Sequence, residues 1–129
     1  MDILFVDDDA LNRRVVKDML ATAGVDMEEA PEAATGLRML EERAFDLVLM
    51  DLRMPGLDGL EAIRAIRTSS APLSRTPVIL VTADTSPDLE QRSRSAGANS
   101  LLRKPVMMTA LFDAVAAVLS EGPGSIPLA

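Results

Sequence analysis

Three short apolar runs constrain this chain more than any other feature, because each ends on an oxygen-bearing side chain. Residues 3–6 (ILFV) run into Asp7, residues 46–50 (DLVLM) into Asp51, and residues 78–81 (VILV) into Thr82. Runs of this length suit strands, and runs this uniformly apolar suit strands covered on both faces, as in a parallel sheet. Parallel neighbours cannot be joined by hairpins, so crossover helices must lie between them.

Helical stripes fall where the crossovers need them. Leu11, Val15, Met19, Leu20 and Ala23 recur at helical spacing up to Gly24, a helix stop. Residues 25–29 (VDMEE) alternate weakly and are expected as an edge strand, followed by a helix over about residues 32–43 carrying Leu37 and Leu40. After the turn Met54-Pro55-Gly56, a third helix carries Leu60, Ile63 and Ile66, and residues 68–77 read as a loop. Residues 87–96 (PDLEQRSRSA) predict a helix that offers only Leu89 and Ala96 to a core, so most of its surface faces water or a partner. A short strand at 100–102 and a helix carrying Leu111, Val115, Val118 and Leu119 complete the pattern. The expected organisation is one domain over residues 1–120 and a flexible tail over 121–129, opened by Gly-Pro-Gly at 122–124.

Five strands alternating with five helices predict an α/β fold, an open parallel sheet with helices on both faces and right-handed crossovers. Ligands of such sheets bind beyond the carboxyl ends of the strands. Asp7, Asp8 and Asp9 follow the first strand, Asp51 the third, Thr82 the fourth and Lys104-Pro105 the fifth.

Composition narrows the chemistry available at that edge. With no cysteine and no histidine, disulfides, thiolate chemistry, imidazole catalysis and most zinc sites are excluded. A net charge of −7 without any basic run argues against nucleic-acid binding and for a divalent cation where acids converge. No apolar run approaches 18 residues and Met1 leads directly into Asp2, so neither membrane insertion nor a signal peptide is expected and the location is expected to be cytoplasmic. Two unit charges about 4 Å apart repel by roughly 4 kcal/mol at a protein surface, so crowded carboxylates need a cation, a proton or open water. Taken singly, each residue has a plainer use: the acids precap a helix, Thr82 caps one, and Lys104 is a solvated lysine.

Taken together, ILFVDDD, DLVLMDLRMPGLDGLE, PVILVTA, AGANSLLRKP and the closing amphipathic helix resemble the receiver domain of two-component response regulators over about residues 2–120. The resemblance implies a flavodoxin-like (βα)5 sheet of strand order 2-1-3-4-5. It also implies that Asp51 is the phosphoacceptor. Asp8, Asp51 and the backbone carbonyl of Arg53 would hold Mg2+ (or Mn2+), with Asp7 acting through water or behind them. Thr82 and Lys104 would contact phosphoryl oxygens, and the Lys104-Pro105 peptide would be cis. The implied donor is a phosphohistidine on a histidine kinase or histidine phosphotransfer domain, and the implied output surface is formed by the fourth helix, fifth strand and fifth helix. Beyond catalysing its own phosphorylation and dephosphorylation, a receiver is not an enzyme.

Pro55, Gly56, Asp58 and Gly59 are expected to shape the turn after Asp51, with Asp58 a cap, and Asn12, Arg13 and Arg14 to lie on a solvated helix face. The sequence departs from many receivers at Leu101, three residues before the lysine, where an aromatic is usual. Phe5, Phe45 and Phe112 lie elsewhere and there is no Tyr or Trp, so no aromatic rotamer switch is available there. The alternative reading is a pseudo-receiver, a constitutive protein-interaction module. An aspartyl-phosphate phosphatase would need a second acid at position 53, and a flavin or nucleotide sheet would need a loop that does not repel phosphate. Arg53 and Asp84 border the acceptor and are expected to meet across it, restricting attacking water. The chain is expected to be either a single-domain regulator or the receiver of a larger protein, and its ALNRRVV and TPVILVTA stretches resemble receivers attached to hybrid histidine kinases.

Overall fold

The computed structural model describes residues 1–120. The expected tail, residues 121–129, lies outside the described residues. Five strands, β1 (Asp2–Val6), β2 (Asp26–Ala30), β3 (Leu47–Asp51), β4 (Val78–Thr82) and β5 (Ser100–Arg103), form one parallel sheet of order β2-β1-β3-β4-β5. The connecting helices are α1 (Ala10–Ala21), α2 (Ala33–Glu42), α3 (Gly59–Arg67), α4 (Leu89–Ala96) and α5 (Met108–Ser120).

Alternation along each strand divides the core in two. Ile3, Phe5, Leu47, Leu49, Ile79 and Val81 pack against Val16 and Leu20 of α1 and Leu111, Val115 and Val118 of α5. Leu4, Val6, Val48, Met50, Val78 and Leu80 pack against α2, α3 and α4, chiefly Leu40, Leu60, Ile63, Ile66 and Leu89. Both faces are therefore covered, which is why the central strands have no polar alternation. Each fully buried Leu, Ile or Phe contributes about 1.5–3 kcal/mol of transfer free energy.

Several boundaries differ from the sequence-based expectation. β2 starts and ends one residue later than residues 25–29, because its edge register pairs Asp26 with Asp2 and Ala30 with Val6. The loop at 68–77 contains a short 3₁₀ turn (Leu73–Arg75) after a cis Ala71-Pro72 peptide. α4 begins at Leu89 rather than Pro87, and it buries Ser93 as well as Leu89 and Ala96; Ser93 Oγ donates to the Glu90 carbonyl at 2.9 Å, so its hydroxyl is satisfied without water. α4 ends at Gly97 with φ of +111°, a left-handed stop.

Candidate functional site

The strand ends bring the predicted residues to one cleft. Beyond β1, the Asp7 amide donates to the Ala30 carbonyl at 3.1 Å, and Asp7 Oδ1 accepts from the Asp9 amide at 2.8 Å. Asp9 caps α1, its Oδ1 accepting from the Leu11 amide at 2.9 Å. Of the three successive acids, one is thus committed to the helix, Asp7 is fully buried and Asp8 faces the solvent. Arg13 is not on a solvated face. Its guanidinium reaches back to the Asp7 carbonyl at 2.5 Å and to Glu29 at 3.0 Å, bracing the β1–α1 loop against β2.

β3 delivers Asp51, only 3% exposed. The loop after it closes tightly: the Gly59 amide donates to the Leu52 carbonyl at 2.9 Å, and a Cβ at residue 59 would lie 2.2 Å from the Asp51 carbonyl oxygen. Asp58 and Glu61 form a reciprocal capping box that starts α3, as expected of Asp58. β4 places Thr82, fully buried, on the opposite wall. After β5, the Lys104-Pro105 peptide is cis, and Lys104 Nζ lies 3.0 Å from Asp51 Oδ1 and 3.2 Å from Asp7 Oδ2.

A cleft of ≈ 290 Å³ opens over Asp8, Asp51, Arg53, Thr82 and Lys104. Carboxylate oxygens of Asp7, Asp8 and Asp51 lie within 4.8 Å of one another. Burial pushes Asp51 up to about 6, helped by the charges of Asp7 and Asp8 and opposed by the bond from Lys104. Burial pulls Lys104 down, but its bond and charge attraction to Asp51 and Asp7 outweigh that, and its net shift is upward. Among the described residues, buried Asp7 Oδ2 is met only by the Lys104 ammonium at 3.2 Å, an ion pair without good hydrogen-bond geometry. Three converging carboxylates sharing a single ammonium fit a hard, oxygen-seeking divalent ion. A larger groove of ≈ 510 Å³, lined by Leu40, Phe45 and Leu73, opens beside residues 69–77; it is mostly apolar, and its two acids, Glu41 and Asp46, belong to no converging group of three among the described residues, so size does not mark the site.

Arg53 and Asp84 meet across the cleft mouth as expected, with Arg53 Nη2 2.5 Å from Asp84 Oδ2. Hydrogen bonds from Ser86 and the Arg53 cation hold the Asp84 carboxyl well below the usual carboxylate range. The Asp84 amide also donates to Thr82 Oγ1 at 3.0 Å, and Arg103 donates to the Asp84 carbonyl. Neither contact is legible in the hydrophobic pattern; for the first, a threonine two residues before residue 84 is the available signal of an ST turn. Leu101 is half-buried against the α2–α4 side of the core, so this position fills space and carries no ring.

A five-stranded parallel sheet of this order, with acids and a lysine converging at its carboxyl edge, defines a receiver-type module of two-component signalling. A family model described as "Response regulator receiver domain" matches residues 3–116, and the chain belongs to that family. The chemotaxis protein CheY of Pseudomonas aeruginosa is 33% identical over 96% of this chain and 100% of its own length. The sensor histidine kinase AruS of the same organism is 36% identical over 95% of this chain, but the chain spans only 12% of AruS. Among solved structures, CheY4 of Vibrio cholerae superposes with a TM-score of 0.84 at 30% identity, covering 92% of this chain and 98% of that one. The receiver domain of the Pseudomonas aeruginosa sensor histidine kinase PA1611, solved with a magnesium ion coordinated in its active-site cleft, gives 0.83 at 30% identity, covering 92% and 97%.

Proposed function

We propose that Asp51 accepts a phosphoryl group from a phosphohistidine on a partner histidine kinase or histidine phosphotransfer domain. The observation that carries this reading is the near-buried Asp51 carboxylate, held 3.0 Å from Lys104 and grouped with Asp7 and Asp8. An Asp51 oxygen attacks phosphorus, the donor's P–N bond breaks, and the imidazole leaves with the bond's electron pair. Mg2+ (or Mn2+), when bound by Asp8, Asp51 and the Arg53 carbonyl with Asp7 behind, supplies the positive charge that offsets repulsion between carboxylate and phosphate. Lys104 releases its hold on Asp51 Oδ1 to pair with a phosphoryl oxygen, and the Thr82 hydroxyl donates to another. The chain has no histidine, so the donor is a separate domain.

The receiver unit is residues 1–120, and it acts in the cytoplasm; no helix among the described residues is long and apolar enough to cross a membrane. Phosphorylation alters the face formed by α4, β5 and α5, which meets a downstream protein. Arg53 and Asp84 screen the acyl phosphate from water and lengthen its life. Retention of Asp7, Asp8, Thr82 and Lys104 disfavours a constitutive pseudo-receiver. Incubation with acetyl phosphate and Mg2+ is expected to label the protein by one phosphoryl group, and Asp51→Asn is expected to abolish labelling with the fold intact. Continued labelling of Asp51→Asn, or none of the wild type, would defeat the assignment.

A further inference from the structure

The β4–α4 loop answers a question raised by Leu101: what links Thr82 to the α4–β5 surface when no aromatic ring can. Thr82 Oγ1 accepts from the Asp84 amide at 3.0 Å, so the orientation of the hydroxyl and the position of residue 84 are tied. Asp84 is in turn held from two sides. Its Oδ1 accepts from the Ser86 amide at 2.8 Å and the Ser86 hydroxyl at 2.5 Å, and the Ser86 carbonyl accepts from the amide of Leu89, the first residue of α4, at 3.1 Å. The Asp84 carbonyl accepts from Arg103 Nη1, at the end of β5. Arg103 lines a polar groove of ≈ 450 Å³ between α4 and β5, together with Glu90, Arg94, Ser100 and Leu101.

We propose that Asp84 is the positioning residue that transmits the state of Thr82 to the α4–β5 face, with Ser86 and Arg103 as its two arms. The inference rests on the phosphoacceptor reading of Asp51. A one-rotamer turn of Thr82 moves its oxygen by roughly 2 Å, which breaks a 3.0 Å bond to a backbone amide. The freed amide lets residue 84 shift. Through Ser86 the shift reaches the start of α4, and through its carbonyl it reaches the Arg103 guanidinium, which changes the charge presented beside Glu90 and Arg94. A polar relay thereby occupies the role that a ring would fill, and position 101 is left free to be aliphatic.

The test is amide NMR of the full chain with and without beryllofluoride and Mg2+, in the wild type, Arg103→Ala and Arg103→Lys. The wild type is expected to shift at residues 82–84 and at Glu90, Arg94, Ser100 and Leu101. In Arg103→Ala the response at 82–84 persists while that at residues 94–101 falls at least twofold, and Arg103→Lys, which can still donate to the carbonyl, recovers part of it. Acetyl-phosphate labelling stays within twofold of wild type in both variants. An undiminished groove response in Arg103→Ala, or a wild-type groove that stays silent while 82–84 respond, overturns the relay alone. A wild type that neither labels nor responds at 82–84 overturns the phosphoacceptor reading with it.

Discussion

Opposite ends of the sheet each hold a partly buried cationic group, and they settle its charge in opposite ways. At the carboxyl edge, Lys104 faces Asp7 and Asp51, more negative charge than it can neutralise, and Asp7 Oδ2 has no hydrogen bond. At the amino edge, the Arg67 guanidinium donates to the carbonyls of Gly97 (3.0 Å), Ser74 (3.1 Å) and Thr76 (2.7 Å) and to Asn99 Oδ1 (2.8 Å). Asn99 Oδ1 also accepts from the Val78 amide at 2.9 Å, so one residue ties α3, the 3₁₀ turn, β4 and the α4–β5 loop. Burial lowers the Arg67 pKa, yet neutral acceptors meet its Nε, Nη1 and Nη2 donors. One site is closed by uncharged partners and is structural; the other is left with charge to spare and can take a ligand.

The largest expected effect lies at the closed end. Arg67→Ala removes the donor to three carbonyls and one of the bonds to the Asn99 oxygen, and is expected to destabilise the protein by about 2–4 kcal/mol in urea unfolding, with Arg67→Lys recovering less than half. An equal loss from Lys104→Ala in metal-free buffer would erase the distinction drawn between the two ends.

At the open end the sign reverses. The folded Asp51 has a pKa of about 6 against 3.8 for the free side chain, so the folded state binds more protons between those values and gains stability as pH falls through 6 toward 4. In EDTA, the wild type is expected to be about 1–1.5 kcal/mol more stable at pH 5 than at pH 7.5, with Asp51→Asn flat across that window. The depressed pKa of Asp84 works the other way, but its contribution is lost only below the free value of 3.8, outside this range. A stability that falls from pH 7.5 to pH 5 would count against a frustrated Asp51.

Mg2+ sharpens the comparison further. At 10–100 times its dissociation constant it is expected to stabilise the wild type by about 1.5–2.7 kcal/mol, to flatten the pH dependence, and to leave Asp8→Ala nearly unmoved. Equal stabilisation of Asp8→Ala would place the ion elsewhere. The smallest effect concerns Arg53, whose side chain is 77% exposed. Arg53→Ala should change stability by under about 0.5 kcal/mol yet shorten the acyl-phosphate lifetime several-fold in a 32P-decay assay. An unchanged lifetime would remove the screening role.

Much of the open end was legible because its signal is local: an apolar run, then an acid, hydroxyl or lysine, repeated at successive strand ends. The division between Asp7 and Asp8 was legible only through the family resemblance, since position relative to the helix start makes each of the three acids a possible precap. The closed end was not legible. Arg67 stands at the end of an amphipathic helix, where an arginine is ordinarily solvated, and its acceptors lie up to 32 residues away, beyond any periodic pattern. Arg13 escaped for the same reason, since its partners Glu29 and the Asp7 carbonyl meet only once β2 is docked against β1. The one-residue offset of β2 reflects an edge strand with a partner on one side only, where side-chain pattern specifies register weakly.

The missing Cβ at Gly59 bears on how the cleft can respond. With the α3 backbone pressed against the Asp51 carbonyl and tied to Leu52, the acceptor sits on a fixed jaw that has no slack in the direction of the helix. Accommodation of an incoming group is left to the walls without that tie, the segment after β4 and the loops that carry Asp8 and Lys104. The cleft is therefore a vice with one set jaw, and closing it falls to the remaining walls.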